Sequence, residues 1–291
     1  MEEFIKYFYN ITVNKINNKS DRYILESNLK KYQLLDYKKD PNLLYKNYIL
    51  FKNSKMCCHD IILNKDGNIL SEYDGKKYLL LKENISSKRQ ILFSDIINSF
   101  LVYDNNLFTN IKEKWEIKND YYENIIKKIS KENIVINESF DYYLGLSELS
   151  ISLLNFVNFN NINYYIQHNR INYKDTLEKF YNPVYMVVDS RIRDFALFIK
   201  SNFFNDIELS NIEYTIDKSN FNTDEMILLI ARLLYPDYYY DILDNIIYNN
   251  INNEQLLNCI KKSSSYEEFV KKIYKHLYKY YNLPKIEFLI S

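Results

Sequence analysis

The run Asn163-Tyr164-Tyr165-Ile166-Gln167 reads as a short strand ending on His168, and the residues after it keep the spacing of a phosphotransfer site. In that chemistry a strand closes on His-x-Asp, whose Asp accepts or orients the substrate hydroxyl proton. An Asn five residues later and an Asp at the end of the following strand hold magnesium. Here the frame is present and its contents differ. Arg170 stands where the base belongs, and a guanidinium cannot accept a proton. Asp175 occupies the metal-binding Asn position, and the apolar run Tyr185-Met186-Val187-Val188 ends in Asp189, matching the second metal ligand. His168 and Arg170 therefore mark a degenerate loop. Turn residues following two buried strands would give the same pattern.

Other chemistry finds less support. His59 adjoins Cys57 and Cys58, but neighbouring side chains on a strand point to opposite faces, so the trio converges poorly on zinc. His276 lies among Lys and Tyr on a solvated helix face. Only three glycines occur, none of them between Met1 and Leu35, and neither G-x-G-x-x-G nor G-x-x-x-x-G-K-[ST] is present. Rossmann and Walker nucleotide sites are thereby excluded. Three cysteines without a C-x-x-C framework favour a reduced, cytoplasmic setting. The acidic start Met1-Glu2-Glu3-Phe4 is unlike a signal peptide, and Met226–Tyr235 is too short to span a bilayer. A soluble protein without a membrane partner is expected. Lys+Arg and Asp+Glu each number 38, which removes the simplest electrostatic case for nucleic acid. Tyr238-Tyr239-Tyr240 could stack bases but has no dense basic run beside it, and Lys271, Lys272, Lys275 and Lys279 read as a solvated helix face.

The elements that must position these residues fall into two parts. In the first, Tyr23–Leu25 and Tyr32–Leu35 read as a hairpin, and a helix follows Pro41. The turns Asp66-Gly67 and Asp74-Gly75 imply a meander of Ile61–Leu63, Ile69–Tyr73 and Tyr78–Leu81. From Ser87 the pattern becomes helical. Capping boxes are read at Ser87–Gln90 and Ser265–Glu268, a long helix over Phe108–Ile129 around Trp115, and a helix start at Thr223. Leu144, Leu146, Leu149, Leu153 and Val157 form a buried stripe. The expected division is 1–84, β-rich with one helix, and 85–291, helical with a short β insertion.

Three segments carry a resemblance. Asp141–Glu148, Asn182-Pro183 followed by Val187–Ala196, and Leu228–Pro236 resemble the endospore coat-associated proteins of the CotS/YutH type. Those are similar to aminoglycoside phosphotransferases and choline kinases. The resemblance implies an α+β, two-lobed protein-kinase-like fold, and it offers a test of activity. Kinase-like enzymes pair a lysine on the third strand with a Glu on the first long helix to hold nucleotide phosphates. Setting Tyr32–Tyr37 on that strand puts Leu35 near the lysine position, and no Asp or Glu occurs from Pro41 to His59. With no glycine for a phosphate-covering loop, the loop, the ion pair and the base are all altered.

The resulting expectation is a pseudokinase-like, non-catalytic scaffold of the spore coat, made in the mother-cell cytoplasm, partnered by other coat proteins and needing no cofactor. The alternative is an atypical phosphotransferase acting on a small molecule or protein, using ATP with magnesium on Asp175 and Asp189. A single-stranded nucleic-acid binder is the more distant choice.

Overall fold

The computed structural model describes residues 1–19, 22–98, 110–129, 133–249 and 252–290. The chain opens with α1 (Glu2–Tyr9), β1 (Lys15–Asn18), β2 (Arg22–Ser27), β3 (Lys30–Asp36), α2 (Pro41–Asn53), β4 (Asp60–Ile62), β5 (Leu70–Tyr73) and β6 (Lys76–Lys82). It continues through α3 (Phe93–Ile97), α4 (Ile111–Ile129), α5 (Ile134–Leu153), β7 (Tyr164–His168), α6 (Leu177–Phe180), β8 (Met186–Ser190) and α7 (Ile192–Phe204). Five helices complete it: α8 (Ile212–Lys218), α9 (Thr223–Leu234), α10 (Asp237–Asn249), α11 (Glu254–Tyr280) and α12 (Glu287–Ile290).

The first part is an antiparallel sheet in the order β1-β2-β3-β6-β4, with β5 also on β6. Side chains alternate across it. Leu34, Tyr78 and Leu80 face Phe4 and Ile5 of α1, whereas Leu35, Leu79 and Leu81 face Leu44, Tyr48 and Phe51 of α2. The second cluster also takes in Ile166 of β7 and Met186 of β8, so one apolar core runs from the sheet into the later part of the chain. Asp40 caps α2 by accepting from Asn42 N–H, and Pro41 starts the helix where no intrahelical donor is needed. The β2–β3 turn holds Asn28 and Leu29 at φ 45° and 64°, the two left-handed positions of a tight hairpin turn. Leu29 is fully exposed there and has no packing to offset the strain. Leu29→Gly is expected to raise stability by about 0.5–1 kcal/mol, seen as a higher denaturant midpoint. A lower midpoint would mean that the leucine is not strained.

Several expectations need correction. No meander forms: β4 and β5 each pair antiparallel with β6 (Ile61↔Leu81, Leu70↔Leu79), so they lie in line along one edge of it. Asn64 is the cause. Its Oδ1 accepts from the N–H groups of Asp66 and Asn68 and its Nδ2 donates to Leu70 O, folding the loop back onto its own line. Ser87–Gln90 starts no helix. Its backbone is used in pairing with residues 175–178, through Leu177 N–H to Arg89 O, Glu178 N–H to Ser87 O and the Gln90↔Thr176 bridge. Ser265–Glu268 lies inside α11, where Ser265 Oγ donates to Lys262 O. The cap of α9 is Asn222 and not Thr223, with Glu225 reciprocating on the Asn222 N–H. Helix α4 begins at Ile111, and the Phe108 end of the expected helix lies outside the described residues.

The helical part is built around α9, buried from Glu225 to Leu234 and packed on α5 and α7. Tyrosine supplies much of the core. Tyr143 stacks on Tyr239 with ring centroids 3.9 Å apart, Tyr122 on Tyr240 at 4.4 Å, and Tyr235 on Trp115 at 4.0 Å. Tyr239 and Tyr240 are fully buried, so these rings are core and present no face for stacking. Among the described residues no helix is long and apolar enough to cross a membrane.

Candidate functional site

Strands β7 and β8 pair antiparallel with His168 opposite Met186 and Tyr165 opposite Asp189. The two strands were expected from the sequence; that both His168 and Asp189 meet the first turn of α7, through Asp194 and Arg193, was not.

His168 is buried and holds three elements together. Its Nδ1 lies 2.5 Å from Asp194 Oδ2 on α7, its main-chain N–H donates to Asp194 Oδ1 at 2.8 Å, and its Nε2 lies 2.7 Å from Phe180 O at the end of α6. With acceptors at both ring nitrogens, the imidazolium form is favoured. Burial opposes the charge, but the Asp194 carboxylate and the Phe180 carbonyl outweigh it, and the pKa rises above its usual 6.5. Arg170, at the base position, donates from Nε and Nη2 to both oxygens of Asp241, each at 2.5 Å.

Asp189 is enclosed by cations. Arg232 Nη2 donates to its Oδ1 at 2.6 Å, Arg193 Nη1 to its Oδ2 at 2.9 Å, and Ser190 N–H to Oδ1 at 2.7 Å. Burial pushes this carboxyl up, yet the two guanidiniums prevail and hold it below the usual carboxylate range. Asp175 is used locally, accepting from Lys179 Nζ at 2.7 Å and from Asn172 N–H at 2.9 Å. The two acids thus answer to different cations.

The facing surface of the first lobe is also occupied. Gln33 lies on the same face of β3 as Leu35 and is fully buried. Its Nε2 donates to Glu83 at 2.8 Å and to Glu178 at 2.9 Å, while Arg22 and Asn182 donate to its Oε1. Beside it, Asn84 N–H donates to His59 Nδ1, which places the ring proton on Nε2, and that atom donates to Glu178 O at 2.9 Å. Burial holds His59 below its usual pKa despite the Glu178 carbonyl, in keeping with a neutral ring. Cys57 is exposed and Cys58 buried, and among the described residues no three His, Cys, Asp or Glu gather as metal ligands. His276 pairs with Asp217 at 3.0 Å.

A lysine–carboxylate pair does bridge α2 and the sheet, with its polarity reversed. Lys52 on α2 meets Asp60 on β4 at 2.6 Å, whereas Leu35 on β3 is buried in the apolar cluster. A magnesium nucleotide needs carboxylates free to coordinate and a base able to take a proton. Asp189, Asp175 and Arg170 offer neither, so the residues present do not fit that group. The sequence reading missed Gln33, Glu83, Glu178 and Asn182. One signal was available, an amide at the lobe-facing position of an otherwise apolar strand, which buried demands partners.

Comparisons with known proteins bear on the fold and on the family. The family model described as Spore coat putative kinase YutH matches residues 2–273. An aminoglycoside phosphotransferase from Alicyclobacillus acidocaldarius shares the fold with a TM-score of 0.67 at 7% identity, covering 96% of each chain. A spectinomycin phosphotransferase, solved with ADP and spectinomycin, gives 0.57 at 14%, covering 96% of this chain and 92% of that one. Choline kinase LicA from Streptococcus pneumoniae gives 0.51 at 12%, covering 96% and 98%. Among curated proteins none matches the sequence. The fold is the α+β, two-lobed, protein-kinase-like one.

Proposed function

The chain belongs to the spore-coat YutH family of kinase-like proteins, and from that premise we propose that it is a non-catalytic scaffold associated with the spore coat. The observation that carries the reading is the state of Asp189. The one acid at a metal-ligand position that ends a strand has its oxygens committed to Arg193 and Arg232. Releasing it would leave a buried guanidinium unpaired, a cost of several kcal/mol. Arg170 at the base position, tied to Asp241, supports the same reading. So does the polar network around Gln33, which fills the facing surface with the protein's own side chains. The family supports the setting, association with the spore coat, and on this reading other coat proteins would be the partners.

Thermal melting with and without millimolar MgATP tests this. A ligand present at a hundred times its Kd stabilises by about 2.7 kcal/mol, several degrees in a domain of this size. The expected result is a midpoint unchanged within about 1 °C, together with no ATP turnover above background. A saturable rise accompanied by turnover returns the alternative, an ATP- and magnesium-dependent phosphotransferase.

A further inference from the structure

Residues of the helical part line a cavity of about 170 Å³ whose wall carries six basic side chains: Lys114, Lys118, Arg170, Arg193, Lys200 and Arg232. They converge from four places in the chain: one face of α4, the loop after β7, one face of α7, and α9. Asp237 is the single carboxylate on the wall. Asp189 and Asp241 hold three of the arginines from other sides. The six cations therefore meet three carboxylates, and positive charge is left over.

The surplus lies in particular atoms. Lys114 and Lys118 have no hydrogen-bonding or ion-pair partner for their ammonium groups among the described residues, and Lys118 rests only over the rings of Tyr122 and Tyr240. Arg232 is 7% exposed, and its Nε is buried without a hydrogen-bond partner. Lys200 Nζ donates to Tyr235 O and Asp237 Oδ1, which leaves one of its three donors unused. An orphaned buried donor costs free energy that an acceptor in the cavity would recover. Burial lowers the pKa of Lys118 although Asp241 opposes it, and burial lowers that of Lys200 although Asp237 opposes it.

We propose that this chamber is a binding site for a phosphate dianion, free or as the head of a small phosphomonoester. A tetrahedral dianion presents acceptor oxygens in several directions at once, which suits donors arriving from four elements. A monocarboxylate offers one charge and two oxygens in a plane. A second cavity of about 380 Å³ shares Arg170, Leu197, Lys200 and Asp237 with the first, and its wall adds Asn172, Ser201 and Tyr238 beside the paired charges Asp175–Lys179 and Asp241. That space would take the uncharged, hydroxyl-bearing body of an ester. The chamber shares Arg170, Arg193 and Arg232 with the candidate site, but no phosphoryl transfer is involved, so binding is read separately from catalysis.

Calorimetric titration of the full chain in chloride buffer, with inorganic phosphate in one arm and ribose 5-phosphate in the other, tests the proposal without any nucleotide. Saturable one-site binding is expected, weakened about tenfold or more by Lys118→Ala or Lys114→Ala, as for loss of a charge-assisted hydrogen bond. These lysines are in no ion pair, so the variants should fold, which circular dichroism checks. Lys118→Arg should restore binding, and the double change Lys271→Ala, Lys275→Ala on the remote basic face should not alter it. Tighter binding of the ester assigns a phosphorylated small molecule, and equal or tighter binding of inorganic phosphate assigns the free ion. No saturable heat for either ligand up to about 10 mM, or the same loss from the remote lysines, overturns the proposal.

Discussion

Asp189→Ala is expected to lower the unfolding free energy by about 3–5 kcal/mol, the usual range for removing one partner of a buried ion pair. The carboxylate lies between Arg193 and Arg232, and Arg232 has no other acceptor within reach among the described residues. Deleting the acid strands a guanidinium in the core beside five other cations. A carboxylate kept for metal would behave oppositely, since its removal relieves repulsion and leaves the apoprotein as stable or more so. The acid limb carries the same information. With its pKa held below the usual carboxylate value of 3.8, Asp189 contributes stability that is present above that value and lost as pH falls through the folded one. The variant should lack that part of the limb. Denaturant melts at neutral and acidic pH measure both effects, and a neutral-pH change below about 1 kcal/mol would show that the carboxylate is not structurally committed.

The second large effect is expected at His168. His168→Gln leaves Asp194 buried without its cationic partner, and a loss of about 3–5 kcal/mol follows by the same reasoning. The pH dependence identifies the cause. Because the folded pKa is raised above 6.5, the stabilisation is fully present below 6.5 and lost as pH climbs through the folded value. His59 acts on the other side. Its pKa is lowered, so its stabilisation is present above 6.5 and lost as pH falls towards the folded value. Melts between about pH 5 and pH 9 should therefore show the alkaline slope vanish in His168→Gln while the acidic one remains. Persistence of the alkaline slope would remove His168 as its source.

Much of this was legible in the residues. Short-range signals served well where one local interaction decides the geometry, as at Asp74-Gly75 (φ 51° and 68°), which joins β5 to β6, or at Pro41. The β7–β8 pair and the placement of His168 and Asp189 at its ends also followed from pattern. Signals failed where a distant segment competed. Ser87–Gln90 has the composition of a helix cap, yet its carbonyls serve residues 177 and 178, far along the chain. Ser265–Glu268 looks like a helix start because local sequence cannot tell a cap from a serine that bonds back to the preceding turn. Charge partners were the least legible part. That Arg170 cannot act as a base follows from its identity alone, but its attachment to Asp241, and that of Asp189 to Arg232, span 71 and 43 residues.

The pairing of residues 87–91 with 175–178 bears on how the molecule moves. His59 N–H to Tyr181 O, Leu177 N–H to Arg89 O, Glu178 N–H to Ser87 O and Ile91 N–H to Asp175 O stitch the early chain to the late one. Of these four bonds one, His59 N–H to Tyr181 O, joins residues 1–84 to residues 85–291, and opening between the halves would break it, along with the Gln33–Glu178 hydrogen bond, and wet the leucine cluster behind them. On the scaffold reading proposed above, these two contacts would resist separation of the halves under load from neighbouring molecules.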